Sequence, residues 1–553
     1  MRQPPPGGPP RRAFARQLFR LSDLVRVAET RRSFRSKAFS RAVWSLDEVP
    51  PSLEIDRDEL LQVPGIGPGV ASLIEEFRDT GGIAEVSHLE EDLPQEAGRL
   101  RRLPRMNQRI MRELKAKGVE TRNDLVVAIE SDLMGDSITG IGPATIELWR
   151  KILDLPPSSS AVPAHEAWVI GRSLAAHVAV HTRVWVDVAA AVRRVEEWVD
   201  ELNLVVTTND REHVTDFLEN TAVLAESRPG GPHVAGTTLS GLPVSIALAV
   251  PEEAGTALVL ATGPPEHVAT VEGEHPQPTE HDVYRAAGFP WISPPARGLP
   301  IDSASQVVQR EELRGDLHLH SLSSPDGRMS LDEIAVDARK RGYDYVLITD
   351  HTIGLRFGGL DAGGLFRQAE EIAATRVRHP EIEILHGAEL NIDREGGLDI
   401  DEEGQALLDF AVAGLHSHFG LSREEQTERL VRAVSHPVVK VLAHPFGRRI
   451  GIRPGIEVDF EQVIEAAVER GVALESNGHR DRLDLPATWI EFGAGRGAVF
   501  AANSDAHRLA ELDNVVSALA SLQRAGIGSD RVVNCWPIDE LRSWADADAK
   551  LGN

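Results

Sequence analysis

The sequence predicts a multidomain protein with an all-α amino-terminal part, a mixed α/β middle and a carboxyl-terminal closed barrel of parallel strands. Two observations carry most of this prediction. A glycine-rich turn followed by an amphipathic helix occurs twice in the first part, and buried-strand runs alternate with helical runs after residue 314. At 553 residues the chain is long enough for about three or four domains, each with its own core.

The barrel is predicted from short runs rich in Val, Ile, Leu and Ala that do not alternate with polar residues. Such runs are typical of parallel strands covered on both faces. They are GDLHLH, DYVLITDH, IEILHGAE, DFAVAGLH, VKVLAH, VALESNG and AVFAANSDAH. Stretches between them, such as SLDEIAVDARKRG, place apolar residues three and four positions apart, as amphipathic helices do. An alternation of about seven strands with helices predicts a (β/α) barrel whose active site lies at the carboxyl ends of the strands.

Potential metal ligands stand at the ends of most of these runs. They are His318, His320, Asp326, His351, Glu389, His416, His444, Asp505 and His507. Imidazole and carboxylate together suit zinc, manganese or iron, and a carboxylate can bridge two ions. The set is too large for one ion, so we expect a cluster of two or three divalent metals that activates water for phosphoryl chemistry. The alternative, a set of ordinary core and surface histidines, does not account for their placement at strand ends.

The amino-terminal repeat is formed by VPGIGPGVASLIEEF and ITGIGPATIELWRKI. Glycines permit a tight turn, and the backbone N–H groups at the following helix N-terminus can bind a phosphate. The pattern resembles the helix-hairpin-helix motif, which implies sequence-independent binding of the DNA backbone. The alternative is a packing corner or protein-contact module. The candidate DNA contacts are Gly65, Ile66, Gly67, Gly69, Gly140, Ile141, Gly142 and Ala144. A middle segment, LRRLPRMNQRIMREL, has lost the glycines, so phosphate binding there is not expected to follow the same pattern.

The motifs GDLHLHSLSSPDG, ITDH, GAELNI, GLHSHF, AHPFGR and NSDAH resemble those of the PHP (polymerase and histidinol phosphatase) domain of bacterial family X DNA polymerases. The resemblance implies a distorted (β/α)7 PHP barrel with three metals. His318, His320, Glu389 and Asp505 would hold the first ion. Glu389, His416 and His444 would hold the second ion. Asp326, His351 and His507 would hold the third ion. Glu389 and Asp505 are the central catalytic carboxylates of this scheme, and Arg448 and Arg482 are candidates for gripping phosphate oxygens, with ordinary salt bridges as the alternative.

The same resemblance predicts a polymerase-like middle domain whose nucleotidyl-transfer site has degenerated. Family X enzymes need three aspartates for two magnesium ions and a Gly-Ser loop for the triphosphate. Those carboxylate positions align with Glu201, Asn203 and Ser245, and the loop reads Ala190-Ala191-Val192-Arg193-Arg194. Polymerase activity is therefore expected to be lost. The alternative is a register error in which Asp187 or Asp210 serves, which would leave an active polymerase.

The predicted domains are a disordered tail over residues 1–20, a helix-hairpin-helix region over 21–153, a polymerase-like domain over 164–290 and a PHP domain over 314–545. Linkers are expected around 153–164 and 289–300, where Pro and Ser are frequent. A single cysteine, Cys535, fits a reducing compartment. Without a membrane-length apolar run or a secretion signal, a cytoplasmic protein with no membrane partner is expected.

A net charge of −26 opposes binding to a polyanion, but basic residues cluster towards the amino terminus. We therefore expect modest, salt-dependent DNA binding by that half. The leading functional hypothesis is a metal-dependent DNA phosphoesterase using manganese or zinc, with iron(II) and magnesium as the other candidates. By resemblance, 3′→5′ exonuclease activity leads, followed by 3′-phosphatase and abasic-site endonuclease activity in DNA repair. The alternative is a phosphatase of small phosphomonoesters, and the sequence leaves the oligomeric state open.

Overall fold

The computed structural model describes residues 10–29, 33–131, 138, 140–154, 158, 160–355 and 358–547. The chain divides into two compact units. The first unit comprises residues 1–263, 268–289 and 451–454, and the second comprises 264–267, 290–450 and 455–553. Among the described residues, no helix is both long and apolar enough to cross a membrane.

The first unit begins with a helical region. Its helices are α1 (Pro10–Ala28), α2 (Phe34–Ser45), α3 (Arg57–Leu60), α4 (Pro68–Thr80), α5 (Ala84–Asp92), α6 (Ala97–Leu100), α7 (Gln108–Ala116), α8 (Arg122–Glu130) and α9 (Pro143–Asp154). A short 3-10 turn, Leu46–Glu48, follows α2. One core unites these helices, and Phe14, Leu18 and Trp149 are fully buried in it.

Helix α1 corrects the predicted disordered tail for residues 10–20. The arginines near the start suggested a solvated segment, but apolar residues recur at helical spacing through Phe14, Leu18 and Leu21, and all three are buried. Burial of these side chains offsets the entropy of ordering the helix. The first nine residues of the predicted tail lie outside the described residues.

A mixed α/β region completes the chain up to residue 289. Its elements are β1 (Val162–Pro163), α10 (Ala164–Thr182), β2 (Trp185–Val188), α11 (Ala190–Arg193), β3 (Trp198–Val199), β4 (Leu202–Thr207), α12 (Arg211–Asn220), β5 (Leu224–Gly230), β6 (His233–Thr238), β7 (Pro243–Ala249), α13 (Ala254–Thr262), α14 (Pro265–Val271) and α15 (Glu280–Ala286). The main sheet has the order β2-β4-β7-β6-β5, in which only β4 and β7 are parallel neighbours. This arrangement agrees with the mixed α/β fold predicted for the middle of the chain.

The second unit is a parallel barrel. Its elements are α16 (Ile301–Ala304), β8 (Gly315–Leu319), α17 (Leu331–Lys340), β9 (Tyr345–Ile348), α18 (Ala362–Arg378), β10 (Glu383–His386), β11 (Glu389–Asn391), α19 (Glu402–Gln405), β12 (Ala411–Gly414), α20 (Arg423–Val434), β13 (Val439–Ala443), α21 (Phe460–Arg470), β14 (Ala473–Asn477), α22 (Ala487–Gly495), β15 (Phe500–Asn503), α23 (Val515–Arg524) and α24 (Ile538–Ala545). Nearly all strand residues are buried, as the unalternating runs predicted.

The barrel strands form two parallel sheets, β10-β9-β8 and β11-β12-β13-β14-β15. A parallel bridge between His351 and Glu389 joins the sheets on one side, and a bridge between Leu319 and Ala506 joins them on the other. Strands β10 and β11 are separated by two residues and act as two halves of one strand. Over the described part of this unit, the ring therefore has the predicted seven strands in a distorted form.

The segment predicted as a linker around 289–300 is instead packed into the second unit. Pro294–Gly298 forms a 3-10 helix against α23, and Pro294, Ala296 and Arg297 are buried. Prolines suggested an extended connection, but at the start of a 3-10 helix proline costs no hydrogen bond.

Candidate metal centre

The potential metal ligands lie together at the carboxyl-terminal mouth of the barrel. His318 is the penultimate residue of β8, Glu389 is the first residue of β11, and the other members occupy the loops that follow the strands. Since parallel strands point the same way around the ring, residues far apart in sequence meet at one end. Most of these side chains are buried, and His318 and His320 have no exposed surface.

Glu389 is the centre of the cluster. It is almost completely buried, at 1% exposure. Five histidine nitrogens face its two carboxylate oxygens: His351 Nδ1 at 3.0 Å, His318 Nε2 at 3.3 Å and His320 Nε2 at 3.6 Å from Oε2, and His444 Nε2 at 2.8 Å and His416 Nε2 at 3.0 Å from Oε1. A carboxylate with ligands gathered at both oxygens has the form expected of a bridge between two ions.

Two aspartates complete the cluster. Asp505 Oδ1 lies 3.4 Å from His320 Nε2 and 3.7 Å from His318 Nε2. Asp326 is half-exposed at the rim, with Oδ2 at 3.4 Å from His507 Nε2 and 3.8 Å from His351 Nε2. Each of the nine predicted ligand residues thus lies within reach of at least one other member.

Three groups of ligand atoms are close enough to hold one ion each. Within each group the atoms lie within 4.8 Å of one another, and the groups are His318/His320/Asp505, His351/Glu389/His416 and His320/His351/His507. The first group contains three of the four residues that the scheme assigned to the first ion, without Glu389. In the second group His351 stands where the scheme had His444, and in the third group His320 stands where it had Asp326.

The donor set fits divalent metals. Nε2 of His318 and His320 and Nδ1 of His351 are buried yet lack a well-aligned hydrogen bond. Buried nitrogens in this state are unusual, because an unsatisfied polar atom costs free energy unless a ligand meets it. Imidazole nitrogens and carboxylate oxygens that converge on one centre, several of them without a hydrogen bond, form an arrangement that suits a metal ion.

The electrostatics of the cluster favour positive charge at its centre. Burial alone would raise the pKa of Glu389, but the charges of His416, His318 and His351 outweigh it and hold that pKa well below the usual range. Burial would lower the pKa of His318, but Glu475, Glu389 and Asp505 reverse the shift and raise it. A carboxylate that stays ionised in a buried site supplies the negative charge that binds a cation.

Two histidines are instead kept neutral. Burial, assisted by the positive charge of Arg482, lowers the pKa of His444 to about 4. Burial likewise lowers the pKa of His320, assisted by neighbouring His507 and His351. Neutral imidazole is the form that binds metal, so these side chains are in the competent state at neutral pH.

Glu475 supports the cluster from behind and was not among the predicted site residues. It is fully buried on β14, and its Oε1 lies 2.7 Å from His318 Nδ1. Its Oε2 accepts a hydrogen bond from the His444 backbone N–H at 2.8 Å. A carboxylate behind a ligating imidazole fixes the tautomer and orientation of the ring. The only sequence signal for this role is a charged residue inside the otherwise apolar strand run VALESNG.

Backbone strain and close packing also mark the site. His444 and Asp505 have φ of 27° and 54°, in the left-handed region that non-glycine residues rarely adopt. Such strain is often held at functional sites by the surrounding structure. Gly414 adds a space requirement, because a Cβ there would lie 2.6 Å from Glu389 Oε1.

The two candidate arginines differ in position. Arg482 Nε lies 3.6 Å from Asp505 Oδ2, at the edge of the cluster. Arg448 instead donates a hydrogen bond to the backbone carbonyl of Leu483. Arg482 is therefore placed better than Arg448 to meet an anion at the ligand cluster.

The two glycine hairpins have matching geometry in the helical region. Gly65 and Gly140 adopt φ of 90° and 88°, and the buried isoleucine after each donates a backbone hydrogen bond back across the turn. Gly67 is the N-cap residue of α4 and provides no side-chain cap. A Cβ added at Gly67 or Gly69 would meet no atom within 4 Å. The amide-lined face of this turn is thus accessible to a phosphate.

The middle segment forms the same turn with different residues. Arg105 takes the left-handed position with φ of 63°, and the Met106 N–H bonds across the turn to Leu103. Asn107 then caps α7 by accepting from the Ile110 N–H at 3.1 Å. That cap occupies an amide that a phosphate would otherwise use, in agreement with the expected difference from the glycine hairpins.

The three positions that the sequence aligned with the polymerase carboxylates lie side by side in the first unit. Asn203 on β4 and Ser245 on β7 are direct partners in the parallel register. Glu201 directly precedes β4, and the Asn203 side-chain amide lies 3.4 Å from its carboxylate. The two alternative aspartates have local roles: Asp187 accepts from the Trp185 indole, and Asp210 caps α12.

The segment that contains α11 has two non-glycine residues in the backbone region that favours glycine. Ala190 and Val195 have φ of 49° and 56°. The arginines between them pair within the unit: Arg193 with Glu280 at 2.6 Å, and Arg194 with Glu196 at 2.6 Å. Both arginine side chains are therefore engaged by carboxylates of the same unit.

Comparison with known families agrees with this architecture. Residues 9–83 match the model of a helix-hairpin-helix domain, and residues 316–484 match the model of the PHP domain. The chain is 31% identical over 236 residues to a probable phosphatase of Thermoanaerobacter sp. strain X514, covering 40% of this chain and 89% of that protein. Barrel, ligand cluster and family match define the class of protein, a metal-dependent phosphoesterase of the PHP type.

A longer relative spans the whole arrangement. The DNA polymerase/3′-5′ exonuclease PolX of Bacillus subtilis is 28% identical over 564 aligned residues, covering 94% of this chain and 98% of that protein. The chain carries a PHP domain and a helix-hairpin-helix domain, and over nearly its whole length it is similar to this PolX protein.

Proposed function

We propose that this protein is a metal-dependent DNA phosphoesterase in which the barrel hydrolyses the 3′ end of a DNA strand held by the helical hairpins. The observation that carries the proposal is the convergence of nine imidazole and carboxylate side chains at the barrel mouth. The activity in the name of the Bacillus subtilis relative, 3′-5′ exonuclease, matches what such a centre can do. The 3′-phosphatase and abasic-site endonuclease activities rank behind it.

The nine predicted residues are proposed as the metal ligands, with Glu389 as the bridge and Asp505 as the second central carboxylate. Two or three divalent ions, manganese or zinc in the first place, would supply an activated water and charge neutralisation at phosphorus. Arg482 is placed to orient a non-bridging phosphate oxygen beside Asp505. Burial of the cluster excludes bulk water and strengthens each of these interactions.

The hairpins at Gly65–Gly69 and Gly140–Ala144 are proposed to bind DNA through backbone amides, without reading sequence. We assign the hairpin region to residues 10–153, the polymerase-like domain to 164–290 and the PHP domain to 290–545. These limits move the predicted start of the first domain to include α1 and move the start of the PHP domain to include the buried 3-10 helix.

The polymerase-like domain is proposed to lack nucleotidyl-transfer activity. Asn203 and Ser245 cannot replace two carboxylates in holding magnesium, because both side chains are uncharged. The strained Ala190 and Val195 and the paired arginines support this proposal.

A phosphatase of small phosphomonoesters is the second candidate. It is favoured by the match between the barrel and probable phosphatases that consist of little more than a PHP domain. The fused hairpin region favours DNA over a small ester as the substrate.

One experiment separates these possibilities. The unaltered chain and the His318→Ala/His320→Ala variant are incubated with manganese and a 5′-labelled primer–template, with and without deoxynucleotides. We expect metal-dependent shortening of the primer that is lost in the variant, no extension, and DNA binding that is equal in both proteins. Extension would overturn the loss of polymerase activity. An unchanged primer together with hydrolysis of p-nitrophenyl phosphate would favour the small-ester phosphatase.

A further inference from the structure

Two large apolar side chains stand exposed at the mouth of the barrel. Leu322 follows β8 and is 63% exposed, and Ile353 follows β9 and is 59% exposed. Each lies two residues beyond a predicted ligand: Leu322 follows His320, and Ile353 follows His351. The rings of these two histidines stack with their centroids 4.4 Å apart. Exposed apolar residues are common singly, but a pair on adjacent loops beside a reactive centre indicates a binding surface.

The loops that carry these side chains are held rigidly. Asp350, fully buried, accepts from the Ser321 backbone N–H at 2.7 Å and so ties the first loop to the end of β9. The Leu322 N–H itself donates to the Met329 carbonyl at 2.8 Å. A loop whose backbone is held in this way loses little freedom on binding, which lowers the entropic cost of binding a ligand at Leu322.

The loop after β9 is held by hydrogen bonds of both residues that flank Ile353. The Thr352 hydroxyl donates to Asp399 Oδ1 at 2.7 Å, and the Gly354 N–H donates to Asp399 Oδ2 at 2.6 Å. One carboxylate thus holds both neighbours of Ile353. The side chain between them cannot withdraw into the barrel without breaking these bonds.

The rest of the mouth has a different chemistry. Arg448 and Arg482 lie on the loops that follow β13 and β14, whereas the apolar pair follows β8 and β9. The ligand cluster lies between, because Glu389 contacts histidines from both sides. A ligand with an anionic backbone on one side and flat apolar groups on the other matches this division, and a DNA strand end is such a ligand.

We infer that Leu322 and Ile353 form an apolar wedge that receives the terminal base of a DNA strand and separates it from its partner. This inference rests on the proposed function. The innermost predicted ligands are recessed, with Glu389 at 1% and His318 at 0% exposure, so opening of the last base pair would help the terminal phosphodiester to reach them. Leucine and isoleucine are among the side chains that proteins insert between base steps to unstack them.

The test uses the full chain with manganese and three substrates: a 5′-labelled single strand, the same strand in a blunt duplex, and bis(p-nitrophenyl) phosphate. Leu322→Ala, Ile353→Ala and the double variant are compared with Val377→Ala. Val377 is 80% exposed on α18, so it controls for removal of an exposed apolar side chain away from the mouth.

We expect the double variant to lose about tenfold in kcat/KM on the blunt duplex, because the terminal base loses its apolar contact with the two side chains. Hydrolysis of the single strand should fall less, and hydrolysis of the small ester should stay within about twofold of the unaltered chain, because the metal ligands are untouched. Leu322→Met should retain duplex activity, and Val377→Ala should change nothing.

Equal losses on all three substrates, or no loss on the duplex, would overturn the wedge while leaving the DNA phosphoesterase intact. An unaltered chain that hydrolyses only the small ester would overturn the proposed function, and the wedge with it.

Discussion

At the scale of single residues, Glu475 holds two parts of the metal centre at once. One carboxylate oxygen faces the His318 ring and the other accepts the His444 N–H, while Asn477 and Asn503 donate to it as well. Burial alone would raise the pKa of Glu475, but the charge of His318 outweighs it and keeps the pKa low. The carboxylate is therefore ionised and can fix the imidazole for a metal.

Glu475→Gln should weaken metal affinity by about 10–100-fold, because the amide orients His318 less well and adds no negative charge. Metal content after dialysis against graded chelator, read by atomic emission, is the measurement. Glu469→Gln on the exposed side of α21 is the control and should bind metal normally. Unchanged affinity in Glu475→Gln would contradict the positioning role.

Gly414→Ala should lower kcat by about 10–100-fold, because the new Cβ would lie 2.6 Å from Glu389 Oε1 and displace the central carboxylate. Steady-state hydrolysis of bis(p-nitrophenyl) phosphate measures this loss. The matched control is Gly420→Ala, where an added Cβ meets nothing within 4 Å. Equal activity of both variants would show that Glu389 can move without consequence.

At the scale of secondary-structure elements, a buried charge cluster joins α1, α10 and the end of α12 to the turn after α2. Asp47 pairs with Arg11 at 3.0 Å and with His177 Nε2 at 2.7 Å, and it accepts from the Ala222 N–H at 2.8 Å. Burial would raise the pKa of Asp47, but the bonds from His177 and Thr221 and the charge of Arg11 outweigh it and lower the pKa.

Asp47→Asn should destabilise the first unit by about 3 kcal/mol at neutral pH, since it leaves Arg11 buried without its counter-charge. The pKa of Asp47 is lower in the folded than in the unfolded chain, so its charge stabilises the fold above about pH 4. The difference between variant and unaltered chain should shrink as the pH falls below that value. Calorimetric unfolding at pH 7 and pH 3.5 measures it, with exposed Asp58→Asn as the control.

At the scale of the whole molecule, the net charge of −26 opposes the proposed binding of DNA. Long-range repulsion between the acidic protein and DNA slows association, and added salt screens this repulsion. Added salt also weakens the proposed contacts between the hairpins and the DNA phosphates. Contacts at short range dominate affinity, so the second effect should prevail.

The dissociation constant for DNA should therefore rise steeply between about 50 and 200 mM salt. Fluorescence anisotropy with a labelled duplex measures the slope of log K against log salt. The His318→Ala/His320→Ala variant should show the same slope, because its changes lie outside the hairpins. An affinity that does not change with salt would contradict binding through backbone phosphates.

Local pattern in the sequence was sufficient to predict the barrel and to place the potential metal ligands at one end of it. Strands without polar alternation are typically covered on both faces. Because the carboxyl ends of parallel strands in a barrel lie at the same end, the histidines of GDLHLH and ITDH were expected to lie close together. The same reasoning from turn chemistry predicted the two glycine hairpins, whose Gly65 and Gly140 have the expected left-handed backbone.

The tertiary structure alone decided what depends on contacts between distant segments. Helix α1 is ordered because Phe14 and Leu18 find a core formed by later helices, although its arginines suggested a tail. Glu475 supports His318 across 157 positions of sequence, and Leu322 and Ile353 are exposed only because other groups pin their loops. Periodicity reports which face of an element is apolar, whereas the partner of a buried charge is set by the packing of the whole chain.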